Sequence, residues 1–160
     1  MRLVSHRVCV MSLSPKANSF NPAEWYSLAS WLFDTTPALS SQCLRRTIIG
    51  RAYYAALICA RDATGSSTTG QDGHRNVVNA LRRSKSTAAD KLDSLRLLRH
   101  KADYSLNEDI TSREVEIGLK SSRTVLSELG LLPKSVALLN KPYSYDYLDS
   151  SKFMSNKGLE

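Results

Sequence analysis

Cysteine is scarce, with three among 160 residues. Cys9, Cys43 and Cys59 are an odd number, and their spacing matches no zinc or redox motif. A disulfide scaffold is excluded on this ground, and the expected state is reduced, buried thiols in a cytoplasmic protein. Long apolar runs are missing as well. No stretch approaches the roughly 18 residues that a membrane helix requires, and the apolar Leu3 to Leu13 segment is interrupted by His6 and Arg7, so neither an anchor nor a secretory leader is expected. Histidine is also sparse. His6, His74 and His100 are scattered, with no Cys/His spacing of the kind a bound metal needs, so no metal or other cofactor is expected. Glycine clusters once, between Thr64 and Gly73, without the spacing of a phosphate-binding loop, and this segment reads as a flexible connection.

What is present is an ordinary globular composition, 42% hydrophobic and 23% charged. That suits one core, with an extension over residues 1–20, a bundle over 21–130 and a tail over 131–160. The net charge of +7 favours an acidic polymer as partner. The charge is also local: Arg82, Arg83, Lys85, Lys91, Arg96, Arg99 and Lys101 face two acids, Asp90 and Asp93, whereas Asp103 to Glu128 reverses the sign with six acids against three bases. A solvated helix face is the commoner cause of such a run, and nucleic-acid contact is the alternative. On that alternative Arg82, Arg83, Lys85, Arg96 and Lys101 are the candidate RNA-binding residues.

Apolar periodicity predicts an all-α bundle of five helices with no extended sheet. Asn21-Pro22-Ala23-Glu24 predicts a first helix start, running to about Phe33 with Trp25, Leu28, Leu32 and Phe33 on its packing side. Leu44, Ile48, Ala52, Ala55 and Cys59 form the stripe of a second helix from about Ser40 to Ala63. Arg51, beside Tyr53 and Tyr54, must there snorkel or act as a buried anchor between helices. A third helix, about His74 to Arg83, turns Val77, Val78 and Leu81 inward. A break at Ser84 to Ser86 leads to a fourth, capped by Thr87 with Asp90, that packs Leu92, Leu95, Leu98 and Ala102. Along one flank of it Arg96 with His100, His100 with Tyr104, and Arg99 with Asp103 are i,i+4 neighbours. Thr111-Ser112-Arg113-Glu114 opens the fifth helix as a capping box, with Val115, Leu119, Ser122, Leu126 and Leu129 inward and Gly130 and Pro133 at its end. Tyr143, Tyr145 and Tyr147 suit either a short strand or an extended tail, and the tail is favoured. Met11 is an alternative start to Met1.

The second helix, RRTIIGRAYYAALICARD, and the fourth, LRLLRHKADYSLNEDIT, together resemble HEPN proteins, especially small bacterial ones that accompany minimal nucleotidyltransferases. The resemblance covers roughly Glu24 to Leu129. It implies a helical bundle, a homodimer, and association with toxin-antitoxin, phage-defence or other RNA-targeting systems, with a nucleotidyltransferase or nuclease as candidate partner protein. Active members carry an arginine followed by a histidine four to six residues on, and cleave RNA without metal through its 2′-hydroxyl. Carried over, the catalytic candidates are Arg99, His100 and Tyr104, with Arg51, Tyr54 and Asp103 as structural anchors. The chain departs from the pattern where Tyr104 stands in place of the histidine, which puts catalysis in doubt. A phenol, with a pKa near 10 against about 6.5 for imidazole, is the poorer proton carrier. Three readings stay open: an RNA-cleaving effector, a non-catalytic module binding RNA, a nucleotide or a protein, and a scaffold or neutralising partner of a larger enzyme.

Overall fold

The computed structural model describes residues 20–36 and 41–132. They form five helices in chain order, α1 Glu24–Thr35, α2 Gln42–Thr64, α3 Gly73–Arg82, α4 Ser86–Tyr104 and α5 Ser112–Glu128. Among the described residues there is no strand, so the expected all-α bundle is what forms. Residues 1–19, with Cys9 and Met11, and residues 133–160, with Pro133 and the Tyr143, Tyr145 and Tyr147 spacing, lie outside this range, as does Ser40.

Helix α2 is the hub and packs against the other four. Its alanines Ala52, Ala55, Ala56 and Ala60 are fully buried, and small side chains let neighbouring helices approach closely. Ser122 of α5 uses that closeness, its hydroxyl donating to the Ala52 carbonyl at 2.8 Å. Gly118 of α5 also sits tight against Leu95, Leu98 and Ile49, where a Cβ would come within 3.3 Å of Leu98. Two apolar clusters result. One joins α1, α2 and α5 around Ile48, Ile49, Val115 and Leu126, and the other joins α2, α3 and α4 around Leu57, Val77, Val78, Leu81, Leu92 and Leu95. Each such side chain, fully buried, contributes about 1.5–3 kcal/mol.

The helix ends follow local chemistry. Ser41 accepts from the Leu44 amide at 3.5 Å. Gly65, at φ 63°, closes α2 in the left-handed conformation that a side chain disfavours. The capping box of α5 is complete, with the Thr111 hydroxyl on the Glu114 amide and the Glu114 carboxylate on the Thr111 amide. Gly130, at φ 71°, completes a Schellman ending, the Gly130 and Leu131 amides donating to Ser127 and Leu126. From α2, Arg46 donates to the carbonyls of Ala102, Ser105 and Glu108, while Gln42 and Arg45 hold Ile110. The α4–α5 connection is thereby pinned.

Two expectations need correction. Helix α1 packs Trp25, Leu32 and Phe33 against the core as expected, but it leaves Leu28 exposed and buries Tyr26, Ser27 and Ala29 more deeply. The reason is rotational: Ala23, Tyr26 and Ala29 share a face, and the small alanines bring that side onto α2. Thr87 and Asp90 do not cap α4. The chain passes from α3 to α4 through a turn in which the Ser84 and Lys85 amides bond to Leu81, so the helix already starts at Ser86 with no side-chain cap. Asp90 pairs with Arg82 instead, at 3.1 Å.

Candidate functional site

Antiparallel packing of α3 on α4 brings the first turn of α3 beside the C-terminal half of α4, over the middle of α2. A cleft of about 390 Å³ opens there, lined by Tyr53, Thr68, Gly70, Gln71, Asp72, His74, Arg75, Arg96, Arg99 and His100. Its rim is the connection that the sequence marks as merely flexible. Gly73 is what allows that rim to fold back, because a Cβ at this position would lie 2.2 Å from the Thr68 carbonyl oxygen.

Arg99 is the best-held charge of the cleft. Its two terminal nitrogens donate to the hydroxyls of Tyr54, at 3.1 Å, and Tyr104, at 3.3 Å. The guanidinium carbon also lies 5.6 and 5.2 Å from the two ring centres, distances at which a cation is attracted to an aromatic face. Asp103 Oδ2 stands 2.7 Å from Nε, off the N–H direction, so the contact is ionic and Nε makes no hydrogen bond. Burial opposes the cation, but the Tyr104 hydrogen bond and the Asp103 charge prevail and raise its pKa. Arg96 is paired with Asp93 at 2.8 Å. Asp72 is the single carboxylate among the lining residues, against three guanidinium groups. The cleft thus presents three guanidinium groups, two of them paired with the carboxylates of Asp93 and Asp103, and has room for a phosphate and its neighbours.

The flank expected on α4 does assemble. The rings of His100 and Tyr104 lie tilted against each other, centres 4.9 Å apart, next to Arg99, while Arg96 pairs with Asp93 rather than with His100. Tyr54 bonds Arg99 from α2, and Arg51 finds an aromatic partner, its guanidinium lying 5.6 Å from the centre of the Trp25 ring. The other candidates do not converge on the cleft. Lys101 points to α5, bonded to Glu114 at 2.8 Å and near Glu108 at 3.7 Å. Arg82, Arg83 and Lys85 lie at the opposite end of the α3–α4 hairpin, about 15 Å away along a ten-residue helix.

Residues that the sequence reasoning missed are Tyr53 and His74. Tyr53 is fully buried and its hydroxyl meets His74 Nδ1 at 2.9 Å. Burial pushes the Tyr53 phenol up, which keeps it protonated. Burial lowers the pKa of His74, and the charges of Arg99 and Arg96 act in the same direction. The only linear signal for the pair is an aromatic doublet one helix away from a histidine at a helix start. Cys59, by contrast, is a buried thiol pushed up to about 11 by burial and is inert.

Among the described residues no group of three or more His, Cys, Asp or Glu is placed to hold a metal ion, and no helix is long and apolar enough to cross a membrane. The described residues thus form five helices around an arginine-lined cleft backed by phenols. Comparison with protein-family models, curated proteins and solved structures gave no match.

Proposed function

We propose that the protein is a cytoplasmic, HEPN-type RNA-targeting protein whose cleft holds the phosphodiester backbone against Arg99 and cleaves it without added metal. The carrying observation is the guanidinium of Arg99, fixed between Tyr54 and Tyr104 on the wall of a cleft that also presents Arg75 and Arg96. The planar fork is oriented by phenols and paired through Nε with Asp103, and its terminal nitrogens have N–H groups left over for two phosphate oxygens. Such fixed donors stabilise charge that builds on a phosphate during displacement. The resemblance to HEPN proteins is what supports association into a homodimer, which light scattering at micromolar concentration tests.

The functional test is incubation with end-labelled RNA in chelator, beside binding of the same strand at rising salt. Binding that weakens with salt, together with fragments ending in 2′,3′-cyclic phosphate, is expected. One feature favours a second reading, a non-catalytic RNA-binding module: Tyr104 occupies the position where the resemblance calls for histidine. Salt-sensitive binding without fragments would select it. Absence of binding would remove both and leave the scaffold or neutralising partner of a larger enzyme, for which the 62% exposed Tyr104 is an accessible acceptor.

A further inference from the structure

We infer that His74, contributed by α3, is the proton-accepting group of the cleft, taking the 2′-hydroxyl proton from an RNA strand whose phosphate lies against Arg99 and Arg96. The inference rests on the RNA reading above and assigns its missing proton carrier. His74 is half-buried at the start of α3 and shares the cleft lining with both arginines. One ring nitrogen, Nδ1, is occupied by the Tyr53 hydroxyl at 2.9 Å. Tyr54 packs edge-on against the same imidazole, ring centres 6.4 Å apart at 87°, and the Tyr54 hydroxyl also accepts from Arg99. One phenol therefore ties the histidine and the guanidinium into a single rigid unit.

This role requires the tautomer in which Nδ1 carries the proton and the Tyr53 oxygen accepts its hydrogen bond, and the lone pair of Nε2 is then left for a substrate proton. Burial and the charges of Arg99 and Arg96 all disfavour protonation of the imidazole. His100 lacks such an orienting partner, its neighbour being the face of Tyr104. In the step itself, the 2′-oxygen forms a bond to the adjacent phosphorus and its proton passes to His74 Nε2. The bond from phosphorus to the 5′-oxygen breaks, and that oxygen takes a proton from water. The products are a 2′,3′-cyclic phosphate and a 5′-hydroxyl, and the His74 proton returns to solvent as the hydroxide left by the water is neutralised.

The charged and titratable groups around His74 are Tyr53 and Tyr54 of α2, Asp72 and Arg75 at its own turn, and Arg96, Arg99 and His100 of α4, with Asp93 and Asp103 paired to the two arginines. Tyr53 is a positioning residue, and its signature lies in the pH profile. Tyr53→Phe removes the acceptor that favours the imidazolium, so the midpoint of the pH–rate curve moves to lower pH.

The test is single-turnover cleavage by the full chain and by its His74→Ala and His100→Ala variants, together with NMR titration of the His74 ring in the presence of an uncleavable 2′-O-methyl RNA. His74→Ala is expected to slow cleavage by about a hundredfold or more while the 2′-O-methyl strand still binds, and that strand is expected to raise the His74 pKa. Cleavage by His74→Ala at the wild-type rate would overturn the assignment and leave the RNA reading standing. A wild-type protein that binds without cutting would also overturn it, and would select the non-catalytic module. No binding and no change at the His74 ring would remove the RNA reading with it.

Discussion

Arg99 and Lys101 stand two residues apart on α4, are both cationic and are both partly buried, yet they belong to different regions of the molecule. Lys101 faces α5, where Glu114 meets it at 2.8 Å and Glu108 at 3.7 Å. Its charge is matched by carboxylates, one of which also closes the capping box of α5. Arg99 faces the cleft, where two phenols and a single carboxylate hold it. Lys101 thus meets two carboxylates, whereas Arg99 meets one and is otherwise oriented by phenols, which carry no opposing charge. A run of basic residues in a sequence therefore does not report how much positive charge a surface offers, because the identity of each partner decides what is left over.

The largest effect expected from that contrast is on function. Arg99→Ala should lower RNA cleavage by about a hundredfold or more, the usual cost of losing one pre-organised donor, with helicity and melting temperature almost unchanged. Lysine at this position should restore only part, since it lacks the planar fork. Lys101→Ala, measured in the same assay, should change the rate far less, and equal losses in the two variants would abolish the contrast. Next in size is Gly73→Ala, which forces a Cβ onto the Thr68 carbonyl. Urea unfolding should show a loss of about 1–3 kcal/mol, the usual range for overpacking, accompanied by weaker RNA binding because the cleft rim moves.

On the opposite face, Thr111→Ala should cost about 1 kcal/mol through loss of the helix cap and leave RNA binding as it was. Glu114 adds a pH signature. The Lys101 hydrogen bond, with the Thr111 amide behind it, holds its carboxyl down at about 2. A carboxyl depressed in the folded state contributes stability that is fully present above its ordinary value of 4.5 and is lost as pH falls toward 2. Thermal melts between those pH values should fall less steeply in Glu114→Gln than in the wild type. The smallest effect is expected from the joint replacement of Arg82, Arg83 and Lys85 by alanine at the far end of the α3–α4 hairpin. RNA affinity should drop modestly, and the log–log salt slope should flatten by about 0.7–0.9 for each phosphate contact removed. An unchanged slope would mark these residues as a solvated face.

Legibility in the sequence followed the range of the interactions. The α5 capping box and the glycine that ends the helix involve residues within a few positions of each other, and both stand as the spacing predicts. The inward residues of α3 and the stripe of α2 were equally plain. Helix α1 was harder. Its large side chains Trp25, Leu28 and Leu32 suggested one packing side, but small neighbours let the Tyr26 and Ala29 side approach α2 more closely.

The site divides along the same line. Arg99, His100, Asp103 and Tyr104 are neighbours on one helix, so the period of 3.6 residues brings them together whatever the rest of the chain does. The amino-acid sequence by itself determined five helices, most of their ends and this basic, aromatic flank. Tertiary structure decided that Lys101 is neutralised while Arg99 remains available, that Arg82 to Lys85 lie away from the cleft, and that His74 meets Tyr53 across a separation of 21 residues. Those outcomes depend on how α3 and α5 dock around α2 and α4, and docking is set by the summed packing of two apolar clusters, which no local spacing encodes.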